Sequence, residues 1–87
     1  MDEYKSVKEL YEALIPALNV KIRMFKNNEF NYLTKDDIWN YLKDNVWVHS
    51  VNLTISQMVS DIVNVEGIKI DKYLKDKRRK EVGELNG

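Results

Sequence analysis

Between Val7 and Phe25 the apolar residues recur three or four positions apart: Val7, Leu10, Tyr11, Leu14, Leu18, Ile22 and Phe25. On an α-helix this spacing gathers them on one face, so the stretch reads as an amphipathic helix with its stripe against a core. Pro16 falls inside the stripe. It removes one backbone donor and crowds the turn before it. Either one helix bends there, or two short helices meet. The unbroken phase of the stripe favours the bend. Ser6 and Glu9 have the spacing of a capping box at the helix start, and Asn27-Asn28 has the character of a left-handed helix end.

The rest of the chain reads as further short helices. Thr34 is placed to cap a second helix, with Asp36 and Asp37 at the positive end of its dipole. Ile38, Trp39, Tyr41 and Leu42 follow, and the helix should end near Asn45. From Trp47 to Ile55 apolar residues alternate with mostly polar ones, a strand-like period. A lone strand has nothing to pair with in a helical domain, so the segment is expected to be an extended connector around Trp47, with a short hairpin or edge strand as the alternative. Thr54 and Gln57 begin a third helix, whose apolar face is Ile55, Met58, Val59, Ile62 and Val63. Gly67 is expected to stop it. A last helix carries Ile70, Tyr73 and Leu74 before becoming strongly polar. The expectation is an all-α single domain of three to four helices over residues 6–82, between a flexible start (1–5) and a frayed tail (83–87).

The composition excludes several kinds of chemistry. The 87 residues suit one domain and include no cysteine, so disulfides, thiolate nucleophiles and zinc–thiolate sites are absent. His49 is the single histidine and has no H-x-x-x-H partner, so a connector residue is its simpler role. Asp36 and Asp37 are adjacent on a helix and share no face, which favours capping over acid–base work. Gly67, Gly83 and Gly87 form no phosphate loop. Trp39 and Trp47 sit among apolar neighbours and read as core, whereas Tyr4, Tyr32 and Tyr41 read as surface aromatics. These features imply a binding protein with no catalytic site, cofactor or metal. The charged first residues and the absence of any apolar run near the length of a bilayer span suggest a cytoplasmic protein.

Fourteen basic and fourteen acidic residues balance overall, but residues 68–80 contain seven Lys/Arg and two acids. Lys72, Lys75, Lys77, Arg78, Arg79 and Lys80 are therefore the candidate nucleic-acid contacts. An ordinary solvated helix end, or an anionic membrane surface as partner, reads the same run differently. Lys21, Arg23 and Lys26 on the first helix form a reserve set. Helix-turn-helix DNA binding fits poorly. The connector is about twice the usual turn of 3–4 residues, and the helix beginning at Ile55 carries Asp61 with no Lys or Arg.

The order and spacing of several residues carry a resemblance. They are Leu14-x-Pro16-x-Leu18, Lys21, Phe25, Thr34-x-x-Asp37-Ile38-Trp39-x-x-Leu42, Trp47, Met58-Val59-x-Asp61-Ile62 and Tyr73-Leu74. Over residues 14–74 the chain resembles the ComN-type post-transcriptional regulators, short proteins of low-GC Gram-positive bacteria associated with control of late competence-gene messages. The resemblance implies a non-enzymatic regulator acting through RNA or a regulatory protein partner. The alternative is a helical protein–protein adaptor that touches no nucleic acid. The resemblance assigns no role to the basic run, which stays a reading of the residues themselves.

Overall fold

A computed structural model describes the backbone of residues 7–86 and the side chains of residues 7–78. It contains α1 (Val7–Lys26), α2 (Lys35–Asn45), a 3-10 turn (Trp47–His49), α3 (Ile55–Asn64) and α4 (Gly67–Asn86), with no strand among the described residues. The fold is all-α, as expected. Leu14, Leu18 and Phe25 from α1 meet Leu33, Ile38, Trp39 and Leu42 from and before α2. Trp47, Met58, Ile62 and Ile70 complete the core.

α1 is one helix that runs through Pro16. The carbonyl left without a partner by the missing Pro16 N–H belongs to Glu12, and both residues are exposed. Water can satisfy that carbonyl, so the helix continues. The expected capping box at its start depends on Ser6, which lies outside the described residues. At its other end neither Asn27 nor Asn28 takes the left-handed conformation; among the described non-glycine residues only Asn52 has positive φ, at 59°. Asn28 works through its side chain instead, its Oδ1 accepting from the Phe30 N–H at 2.8 Å. That is the local turn in which Asn competes with helix continuation.

Thr34 caps α2 as expected: its hydroxyl accepts from the Asp37 N–H at 3.2 Å. The Asp37 carboxylate accepts from the Thr34 N–H at 2.9 Å. Thr54 does the same for α3, accepting from the Gln57 N–H at 3.1 Å. The segment between these helices departs from the sequence expectation. Residues 47–49 coil into a 3-10 turn, where an extended strand-like connector was expected. The alternation is not a burial pattern: Trp47 is buried, but His49 is exposed and Val51 is 82% exposed. Trp47 packs edge-on to Trp39 with ring centroids 5.3 Å apart, and its indole N–H donates to Asp61 on α3 at 2.8 Å. The turn brings one ring to both partners at once.

Gly67 also departs from expectation. α3 ends at Asn64 with Val65 extended, and Gly67 opens α4 with no positive φ. Its role is spatial: a Cβ there would stand 2.6 Å from Cγ of Phe30, inside the ring's contact surface. The loop after α1 therefore lies directly on the first turn of α4.

Tyrosine hydroxyls donating to aspartates tie the elements together. Tyr11 donates to Asp36 at 2.9 Å, Tyr73 to Asp44 at 2.5 Å, and Tyr32 to Asp71. A neighbouring carboxylate disfavours a phenolate. Burial first, then the Asp44 bond, pushes Tyr73 up to about 12. The Asp71 bond leads the rise of Tyr32 to about 12.

Two predictions follow from this packing. Gly67→Ala should destabilise the protein by about 1–3 kcal/mol through overpacking, although Ala is the better helix former. Urea melts of Gly67→Ala alone and with Phe30→Leu test this. The second change should recover part of the loss, and a stabilised single variant would contradict the packing. The second prediction concerns pH. A phenol whose pKa is raised on folding stabilises fully below its ordinary value of 10.0, and that contribution is lost as pH climbs towards about 12. Tyr73→Phe should therefore lose less stability than the parent between those pH values; identical losses would show that folding does not raise the Tyr73 pKa.

Candidate nucleic-acid interface

α4 spans 20 residues, about 30 Å at the usual helical rise. Its first turns are anchored by Gly67 against Phe30, by fully buried Ile70, and by half-buried Leu74. With this face fixed, the helical repeat sorts the charged residues into two flanks. Lys69, Lys72 and Asp76 share one. Asp71, Lys75 and Arg78 share the other.

The first flank borders a groove of about 510 Å³ between α2 and α4. Tyr41, Asp44 and Asn45 line it from α2, and Lys69, Lys72, Tyr73, Asp76 and Lys77 from α4. The two tyrosine rings meet edge to face, 5.7 Å between centroids at 77°. The Lys77 ammonium stands 5.8 Å from the Tyr73 centroid, within cation–π range. Three cations therefore face two carboxylates, one of which, Asp44, already accepts from the Tyr73 hydroxyl. Lys69 also reaches Glu66 at 3.9 Å, a loose pair exposed on both sides.

The second flank carries the same net charge, with one of its cations paired on the helix itself. Lys75 pairs with Asp71 at 3.0 Å. The Tyr32 hydroxyl and then Lys75 hold the Asp71 carboxyl below its ordinary pKa. An exposed pair of this kind is worth little to stability, but it keeps a counter-charge beside Lys75.

Of the six candidate residues named from sequence, Lys72 and Lys77 line the groove, while Lys75 and Arg78 are exposed without lining it. The side chains of Arg79 and Lys80 lie outside the described set. Lys69, Tyr41 and Tyr73 belong to the groove but not to the sequence-derived set. Lys69 was legible in principle, since it sits three residues before Lys72 on one helix side. Tyr41 reads from sequence as a surface aromatic, but its pairing with Tyr73, from an element far away in sequence, had no local signal.

The reserve set on α1 changes most. Lys21 is only 6% exposed. Its ammonium donates to the Val63 carbonyl at 2.7 Å and stands 5.1 Å from the Phe25 ring centroid. Burial lowers its pKa. Lys21 thus satisfies a carbonyl near the end of α3 and is withdrawn from any surface, whereas Arg23 and Lys26 are exposed. His49 is exposed on the 3-10 turn. No group of three or more potential metal-ligating side chains occurs among the described residues. No helix among them is long and apolar enough to cross a membrane.

The family model described as "Post-transcriptional regulator" matches residues 7–86. No curated protein matches the chain, and no solved structure does. The match extends well beyond residues 14–74, on which the resemblance in sequence rests, and agrees with it at the level of the family. The chain belongs to the post-transcriptional regulator family.

Proposed function

We propose that this protein is a non-enzymatic post-transcriptional regulator that binds RNA through the cations of α4. The supporting observation is the exposed row Lys69, Lys72 and Lys77 beside a groove with two tyrosines. Lysines that neutralise phosphates contribute to binding through counterion release. Lys72, Lys75, Lys77, Arg78, Arg79 and Lys80 are the proposed contacts, now joined by Lys69. Competence-gene messages, which the sequence resemblance implies, are the first RNAs to test.

A specific observation favours a second reading. Asp44 and Asp76 share the groove with the lysines, and Asp71 holds Lys75. Alternating charge suits a protein partner of complementary pattern, as in an adaptor that touches no nucleic acid. A membrane-surface role has less support, because Ile70 and Leu74 of α4 pack into the core. They are unavailable for the apolar face that an interfacial helix needs.

Salt dependence separates the first two readings. Four phosphate contacts to single-stranded RNA give a log–log slope near −3, or roughly 50-fold weaker binding between about 50 and 200 mM salt. Replacing Lys69, Lys72 and Lys77 by Gln should reduce the slope by about 1–2, while Arg23→Gln with Lys26→Gln should leave it unchanged. No RNA binding by the parent at low salt would hand the lead to the adaptor reading. An unchanged slope in the triple variant would move the contacts elsewhere.

A further inference from the structure

We propose that the groove between α2 and α4 holds one unpaired nucleotide of a single-stranded RNA, with its base on the Tyr41 ring and its phosphate on Lys69 and Lys72. This rests on the RNA-binding reading and adds to it a site, a ligand geometry and a preference for single strands. The groove is open to solvent, and its volume, about 510 Å³, lies within the roughly 300–1,000 Å³ range of small-ligand clefts.

The lining matches a nucleotide part by part. Tyr41 and Tyr73 meet edge to face, and Lys77 stands over the Tyr73 ring. Tyr41, half-buried against the core and lining the groove without a cation over it, is the platform assigned to the base, and stacking on it tolerates any base because every base has a π-face. Tyr73 is held in place by Asp44 at 2.5 Å, so the wall behind the base is fixed before binding.

Lys69 and Lys72, three residues apart on α4, present two ammonium groups on the same side for one phosphate. Asp76, on that flank one turn beyond Lys72, is an acceptor when ionised. It repels phosphate and accepts from a base N–H, which orients the nucleotide with its base towards Asp76 and its phosphate towards Lys69. A duplex cannot enter, because its bases are stacked inside and only unpaired residues can be splayed onto an aromatic side chain.

The experiment measures the binding of short oligouridylate to the full chain, in parallel with the same RNA paired to its complement and with free uridine monophosphate. Tyr41→Leu should weaken oligouridylate binding about 10-fold and leave the salt slope untouched, since no charge is removed. Tyr41→Phe should bind like the parent. The duplex and the free nucleotide should both bind more weakly than the single strand. Photocrosslinking of the unmodified protein to oligouridylate containing 4-thiouridine should place the adduct on Tyr41 or Tyr73, which keeps the test independent of how well a variant folds. Equal affinity for single strand and duplex, or an adduct outside the groove, overturns the proposal while leaving phosphate binding by α4 intact. Free nucleotide bound as tightly as the RNA overturns it in favour of a small-molecule site. No binding of any RNA overturns both readings together.

Discussion

The contact between Trp39 and Trp47, with the hydrogen bond from Trp47 to Asp61, holds the order of the remaining elements. Tyr11 meets Trp39 edge-on at 5.1 Å, Trp39 meets Trp47 at 5.3 Å, and the Trp47 N–H reaches Asp61 at 2.8 Å. The relay runs from α1 through α2 and the 3-10 turn to α3. Aromatic rings bury more area than any other side chains, and edge-to-face pairs add about 0.5–1.5 kcal/mol beyond that area. In a chain of 87 residues, where the whole stability is of the order of 10 kcal/mol, two tryptophans in one core are a large share. The buried indole N–H also needs an acceptor, and Asp61 supplies it. Asp61 is thus committed to structure, and α3 presents no basic side chain to a ligand.

With α1, α2 and α3 joined, α4 is added by different means. Among its described residues it contributes fully buried Ile70 and half-buried Leu74 to the core, and it is also positioned by a close approach and by polar ties. Phe30 rests on Gly67, while Tyr73 reaches Asp44 and Tyr32 reaches Asp71. These ties determine which flank of α4 faces α2. They turn Lys69, Lys72 and Lys77 towards a groove with Tyr41 and leave Lys75 beside Asp71. The proposed interface is therefore a consequence of how α4 docks, and sequence charge alone gives the six candidate cations equal weight.

Features decided within one turn of helix were legible in the sequence. Thr34 announced its cap, and Trp39 its burial, although the return bond from the Thr34 N–H to Asp37 came only with the structure. The family resemblance was legible too, since its residues are mostly core positions in order. Features decided by contact between distant segments were not legible. Trp47 lies in a region of strand-like alternation, yet its ring is needed by Trp39 and Asp61 together, which curls the turn. Gly67 looked like a helix stop because glycine usually signals backbone freedom, but Phe30, 37 positions earlier, requires it to be small. Lys21 looked like a surface cation until α3 placed the Val63 carbonyl above it. Tyr41 and Tyr73 became neighbours only when α4 docked on α2.

The central claim is that one surface, formed where α4 docks on α2, contacts RNA while the aromatic core stays unchanged. Amide chemical shifts followed by heteronuclear NMR during titration with single-stranded RNA test this directly. The account predicts shifts concentrated at Tyr41–Asn45 and Lys69–Arg78, with the indole signals of Trp39 and Trp47 unmoved. Shifts centred on α1 or α3, or none at saturating RNA, would contradict it.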